Sequence, residues 1–296
     1  MTIILGKWVS NMRHGAFLNK AILIAGVVLL AGCTSLSNLS DSYSQLTLKE
    51  IANDGQCSEC DLRYMDLSGL DLPKANFSGG YLFNVDFTRT SLIDSNFESA
   101  ILISVNLDRA DLSKANMAKA NLSSSSLYGT TLRAADLSFS NLKYANMEAA
   151  ELSFANLRAA NLQGAIMISS FADKAVFTKA NLSQSNLIEA DFSNSDMQGV
   201  NLSGANLTDA NLTMTNLKNA NLKRANLRGS SIYYTNMSGA DLSGADLRGV
   251  HFVGANLNGA DFTRADLLGA KMSSVLKKHA IFCDARMPNG ERGSCN

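Results

Sequence analysis

The chain has 296 residues, 26 basic and 26 acidic side chains and no net charge, and 46% of its residues are hydrophobic. So even a balance lacks the one-sign field that binding to nucleic acid requires. With three histidines and five cysteines, few side chains are available to ligate a metal or act as a general base.

Residues 1–32 read as an export signal rather than as structure. Arg13 and Lys20 supply a positive region, Ala21 to Ala31 an apolar run, and Leu30-Ala31-Gly32-Cys33 closes it. The run, about a dozen residues, is too short to span a hydrocarbon core of roughly 30 Å. Its ending resembles a bacterial lipobox, which implies that Cys33 becomes the lipidated first residue of the mature protein. Thr34 follows where an Asp would resemble an inner-membrane retention signal. The expected destination is therefore the bacterial cell envelope, anchored by lipid at the outer membrane and facing the periplasm. Residues 33–45 are Ser-rich and read as a flexible tether. Residues 46–60 read as an N-terminal cap, in which Thr47-Leu48-Lys49-Glu50 opens a short helix that Gly55 ends.

From residue 61 to 275 the chain repeats every five residues without insertion or deletion. Ala205-Asn206-Leu207-Thr208-Asp209 is a typical unit. A large apolar residue, here termed the centre, falls on every position ending in 2 or 7 from Leu62 to Met272, and Ala172 is the one small exception. A period of five fits neither a helix nor a plain strand, but it does fit a short extended piece followed by a corner. Side chains alternate along extended backbone, so the residue two before each centre points inward with it and the residue between them points out. The inward partner is small everywhere except at Met65 and Leu70, and the outward residue is mostly Asn or Asp. The remaining two residues turn the chain, and the second is often Gly, as at Gly199, Gly204 and Gly239.

A fixed short period held this long indicates a solenoid, in which each unit touches only its neighbours. Three sides would leave no room for a full layer of Leu, whereas four sides of one unit each are filled. Twenty residues per coil then stack centre on centre, and Phe77, Phe97, Met117, Phe177, Met197 and Met237 share one side. About eleven coils at roughly 4.8 Å each give a rod of about 50 Å. The motif A-[DN]-L-x-x resembles the pentapeptide-repeat family. That resemblance implies an all-β fold, a right-handed quadrilateral β-helix, here with the short N-terminal helical cap.

The exposed strand edges of such a fold need covers. Residues 46–60 serve at one end and residues 276–296 form a C-terminal cap or tail, with Met287-Pro288-Asn289-Gly290 as a turn. Cys57 and Cys60 fall at the first coil, Cys283 and Cys295 in the tail. An even number in an exported chain suggests two disulfides, one at each cap. A redox-active Cys57-Ser58-Glu59-Cys60 is a second reading, although no βαβ pattern surrounds it. A four-cysteine zinc site is ruled out by the separation of the two pairs.

A filled interior offers no deep pocket, so no catalytic residue, cofactor, metal or small-molecule substrate is expected. Ser231, His251 and Lys271 stack on one face, but no carboxylate orients the histidine. Some members of the family resemble duplex DNA in size and negative charge and bind DNA gyrase. That alternative reading is weakened by the near-neutral repeat, where residues 61–275 hold 20 acids and 18 bases. The functional lead is where outward slots turn apolar. Tyr81 and Phe83 lie on one side, with Ile101 and Ile103 one coil later, and a second cluster is Ile166, Ile168 and Ile188. Contiguous exposed apolar residues often mark contact sites, so Tyr81, Phe83, Ile101 and Ile103 are the candidate patch for an envelope protein partner; the other readings are that the tether or lid packs over them, or that they are neutral drift.

Overall fold

The computed structural model describes residues 57–295. The signal region, Cys33, the tether and the expected helix at Thr47–Gly55 lie outside the described residues; within 57–295 there is no helix.

Backbone bridges link each outward slot to the slot twenty residues on, all parallel, from Asp61 with Tyr81 to Asp266 with Arg286. Each coil therefore has four short sides, one repeat per side. We label them by their centres: side A holds Leu62, Leu82 and Leu102, side B Leu67 and Phe87, side C Leu72 and Leu92, and side D Phe77 and Phe97. The ladder runs past residue 275, through Ile281 and Arg286, before the chain reverses and Arg286 pairs antiparallel with Arg292.

In the unit Ala205–Asp209 every backbone N–H has a partner. Ala205 N donates across the corner to Leu202 O at 3.0 Å, Asn206 N reaches back to Ser185 O at 2.9 Å, and Leu207 N and Asp209 N reach forward to Asn226 O and Arg228 O at 2.6 and 2.9 Å. The fifth, Thr208 N, donates to the side-chain oxygen of Asn206 at 3.2 Å. This explains the Asn or Asp of the repeat: its oxygen accepts the one amide that the ladder leaves over. Asn adds a second bond, because its Nδ2 donates to the residue one coil back. Along side A this produces a column in which Asn141, Asn161, Asn181, Asn201 and Asn221 each donate to the amide oxygen below.

The corners correct one expectation. Every position ending in 4 or 9, from Glu59 to Asp284, has positive φ, and most of these residues are not glycine. The ladder fixes the left-handed corner, and residues such as Asp209 (φ 56°) accept it at an energetic cost that glycine avoids.

The centres and their small partners form one continuous core, almost wholly inaccessible to solvent from Leu62 to Leu267. Phe77 and Phe97 stack at 4.9 Å one coil apart, and Phe87 meets both edge-on. Where the small slot holds Ser or Thr, its hydroxyl is satisfied by a centre carbonyl, as Thr130 Oγ1 is by Leu107 O at 2.7 Å. Ala172 is compensated from beside and above, by Phe177 in the next slot and Phe192 one coil on, whose rings meet at 5.5 Å.

Candidate binding faces

Because the interior is filled with side chains, any function has to sit on the sides, the corners or the ends. The bridges place Tyr81 beside Ile101 on side A, with Asp61 below and Asn121 above. Phe83 and Ile103 follow at the adjoining corner, both half-buried. Tyr81 and Ile101 therefore share side A, with Phe83 and Ile103 at its edge. A fifth joins them: Tyr64, 69% exposed, packs its ring edge-on against Phe83 at 5.5 Å. Tyr64 escapes sequence reasoning because it occupies a corner slot, and the repeat pattern does not show that a corner side chain leans over the next coil.

The second cluster is broader than Ile166, Ile168 and Ile188. Phe171, 53% exposed, adjoins it around the corner. At the far edge of side C, Phe154 lies between two cations, with Arg133 4.7 Å and Lys174 5.3 Å from its ring centroid. Such contacts hold an exposed ring in place.

Ser231, His251 and Lys271 do stack in one column. His251 Nδ1 lies 3.0 Å from the Tyr233 hydroxyl, and among the described residues no carboxylate hydrogen-bonds to it. The imidazole of His251 is thus held by a phenol rather than by the carboxylate of a Ser-His-acid triad.

The structure joins Cys57 to Cys60 and Cys283 to Cys295 by disulfides, with Cα separations of 5.2 and 4.2 Å. Among the described residues the one grouping with metal-ligand spacing is Cys283, Asp284 and Cys295. Its two sulfurs are bonded to each other, so they offer no thiolate to a metal.

Charges on the sides are interleaved. Arg63 and Arg248 fork onto Asp61 and Asp246 two residues back in the chain. The guanidinium bond holds each of these carboxyls below the usual carboxylate range. Asp66 is also lowered, chiefly by its bond from the Ser68 hydroxyl. Near the C-terminal end a cleft of about 550 Å³ is lined by Arg264, Asp266, Asp284, Arg286 and Arg292.

Comparison with known proteins agrees with this architecture. Eight segments, which together cover residues 56–167 and 175–276, match the profile of the family described as pentapeptide repeats. No curated protein matches the chain. Among solved structures it is similar to HetL, a pentapeptide repeat protein involved in heterocyst differentiation regulation from the cyanobacterium Nostoc sp. strain PCC 7120. The two are 28% identical over 83% of this chain and 98% of that one, with a TM-score of 0.36. A pentapeptide repeat protein from the Arabidopsis thaliana thylakoid lumen is 29% identical over 39% of this chain and 70% of its own, with a TM-score of 0.26. QnrB1, a plasmid-mediated fluoroquinolone resistance protein, is 18% identical over 61% and 90%, with a TM-score of 0.32. The repeat, its twenty-residue coil and the family match converge, and the chain belongs to the pentapeptide-repeat family, whose fold is the right-handed quadrilateral β-helix.

Proposed function

We propose that this chain is a lipid-anchored, non-catalytic scaffold of the bacterial cell envelope that binds a protein partner through side A of its first coils. The observation that carries the binding role is the cluster Tyr64, Tyr81, Phe83, Ile101 and Ile103, set on a side whose outward slots from Asn121 to Asp261 are all Asn or Asp. An exposed apolar cluster on a rigid sheet is suited to burial against another protein. The anchor rests on the lipobox ending at Cys33, which supplies location, while the Ser-rich residues 33–45 supply reach and residues 46–60 the lid.

The experiment is an affinity capture with crosslinking from intact envelopes, comparing the parent with Tyr81→Ser combined with Ile101→Ser. Loss of the captured partner with an unchanged melting curve supports the patch; identical capture eliminates it. The alternative, a cytoplasmic gyrase-binding DNA mimic, is separated by metabolic lipid labelling. A chain that takes no lipid at Cys33 and stays in the cytoplasm revives it.

A further inference from the structure

The two ends of a β-helix differ from its sides because their backbone groups have no next coil. At the C-terminal end the tail covers only half of the opening. Over sides A and B the chain folds back: Arg286 pairs with Arg292, Gly293 N donates to Ala285 O at 2.8 Å, and Asp284 N donates to Gly293 O at 3.2 Å. The Cys283–Cys295 disulfide fastens this hairpin. Over sides C and D no described residue lies on the last coil. Among the described residues, Met272 N, Ser274 N, Lys277 N and His279 N have no acceptor, and Ala270 O and Val275 O have no donor. One coil below, the matching groups are all used: Phe252 N, Gly254 N, Leu257 N and Gly259 N donate upward at 2.7, 3.1, 2.6 and 2.9 Å. The unpaired row therefore repeats the donor and acceptor order of every completed coil.

Its side chains add two further properties. The core is partly open here: Met272 and Val275 are half-buried and Leu276 is 60% exposed. The segment 271–280 also carries Lys271, Lys277 and Lys278, all exposed, and no acid, whereas the repeat as a whole is close to neutral. Lys277 occupies a centre slot and stays in solvent, so the hydrophobic stack stops at this coil on side D.

We infer that the edge from Ala270 to His279 is a docking site for an extended, acidic segment of a partner protein, added as one further half-coil. Strand addition to an open edge provides main-chain bonds, and adjoining side chains provide selectivity. Here the segment runs parallel to 271–280. Its amides donate to Ala270 O and Val275 O, its carbonyls accept the N–H groups of Met272, Ser274, Lys277 and His279, and its apolar residues cover Met272 and Val275. Its carboxylates face the three lysines. The same lysines disfavour a second copy of this chain, which would bring its own Lys271, Lys277 and Lys278 against them. The site is distinct from the side A patch and holds whether or not that patch binds.

The test uses the full chain and a labelled peptide made of two copies of Ala-Asp-Leu-Glu-Gly, against a control with all four acids replaced by Lys. The acidic peptide is expected to bind, to weaken as salt rises, and to slow hydrogen exchange at Met272, Ser274, Lys277 and His279. Lys277→Glu combined with Lys278→Glu, both at exposed sites, is expected to weaken it about tenfold with an unchanged melting curve. The inference is overturned by no binding, by equal binding of the basic control, by protection that maps elsewhere, or by self-association of the chain through this edge.

Discussion

The ring of Tyr144 lies across the backbone of Gly164, one coil on: a Cβ built at Gly164 would meet the ring at 2.6 Å. Tyr234 covers Gly254 in the same way, again at 2.6 Å. Glycine at these corners thus makes room for the ring as well as easing the left-handed φ, and the two effects can be separated. Gly259 has similar φ (69°) with nothing near its missing side chain. Gly259→Ala should cost about 1 kcal/mol from conformation alone, and Gly164→Ala about 2 kcal/mol more from the clash. Adding Tyr144→Ala to Gly164→Ala should recover the difference. Chemical denaturation of the parent and these three variants checks this, and equal costs at Gly164 and Gly259 would remove the ring's role.

The small centre Ala172 and the large centre Phe192 above it exchange volume. Ala172→Leu should destabilise by about 1–3 kcal/mol through overpacking, and Phe192→Leu by a similar amount through the void it leaves. Because each change supplies what the other lacks, the double variant should be less destabilised than the sum. Strict additivity in urea melts would mean the two slots pack independently.

Asn181 tests the side column. Its oxygen accepts from Ser183 N at 3.2 Å and from Asn201 Nδ2 at 3.0 Å, while its own Nδ2 donates to Asn161. Asn181→Ala should cost about 2 kcal/mol, since it leaves Asn201 and the corner amide unpaired. Asn181→Asp keeps the acceptor, as Asp136 does for Asn156, and should cost less than half as much. Thermal melts that rank the two variants the other way would show that the amide donor matters more than the turn.

Acid should loosen the sides before it affects the core. The carboxyls of Asp61, Asp66 and Asp246 are held below their ordinary value. A group whose folded pKa is lowered stabilises fully above its unfolded value, about 3.9, and loses that contribution as pH falls through the folded one. The melting temperature should therefore be level near neutrality and drop below about pH 4. Asp66→Asn, which keeps the turn acceptor, should make that drop shallower; an unchanged profile would exclude Asp66 from it.

The sides of this molecule are legible in the sequence because a five-residue period admits one arrangement of inward and outward slots, and the twenty-residue register aligns Tyr81 with Ile101. The corners are less so. Glycine marks a minority of them, and nothing in Asp209 or Phe154 announces a left-handed backbone, because the ladder imposes it. Tyr64 was missed for a related reason: the lean of a corner side chain depends on that φ. The tail was hidden in another way. The pairing of Arg286 with Arg292 is antiparallel and occurs once, so no period points to it, and the half-open last coil is visible only after the hairpin has been placed.

The quarter-turn advance per repeat makes the molecule a dial as well as a ruler. Inserting one repeat between Ile103 and Lys271 would rotate the far edge by one side relative to the near patch, while inserting four would move it outward at unchanged azimuth. The angular offset between two bound partners is thus written in the number of repeats between them, and a chain of this kind can change that offset without altering a residue in either contact.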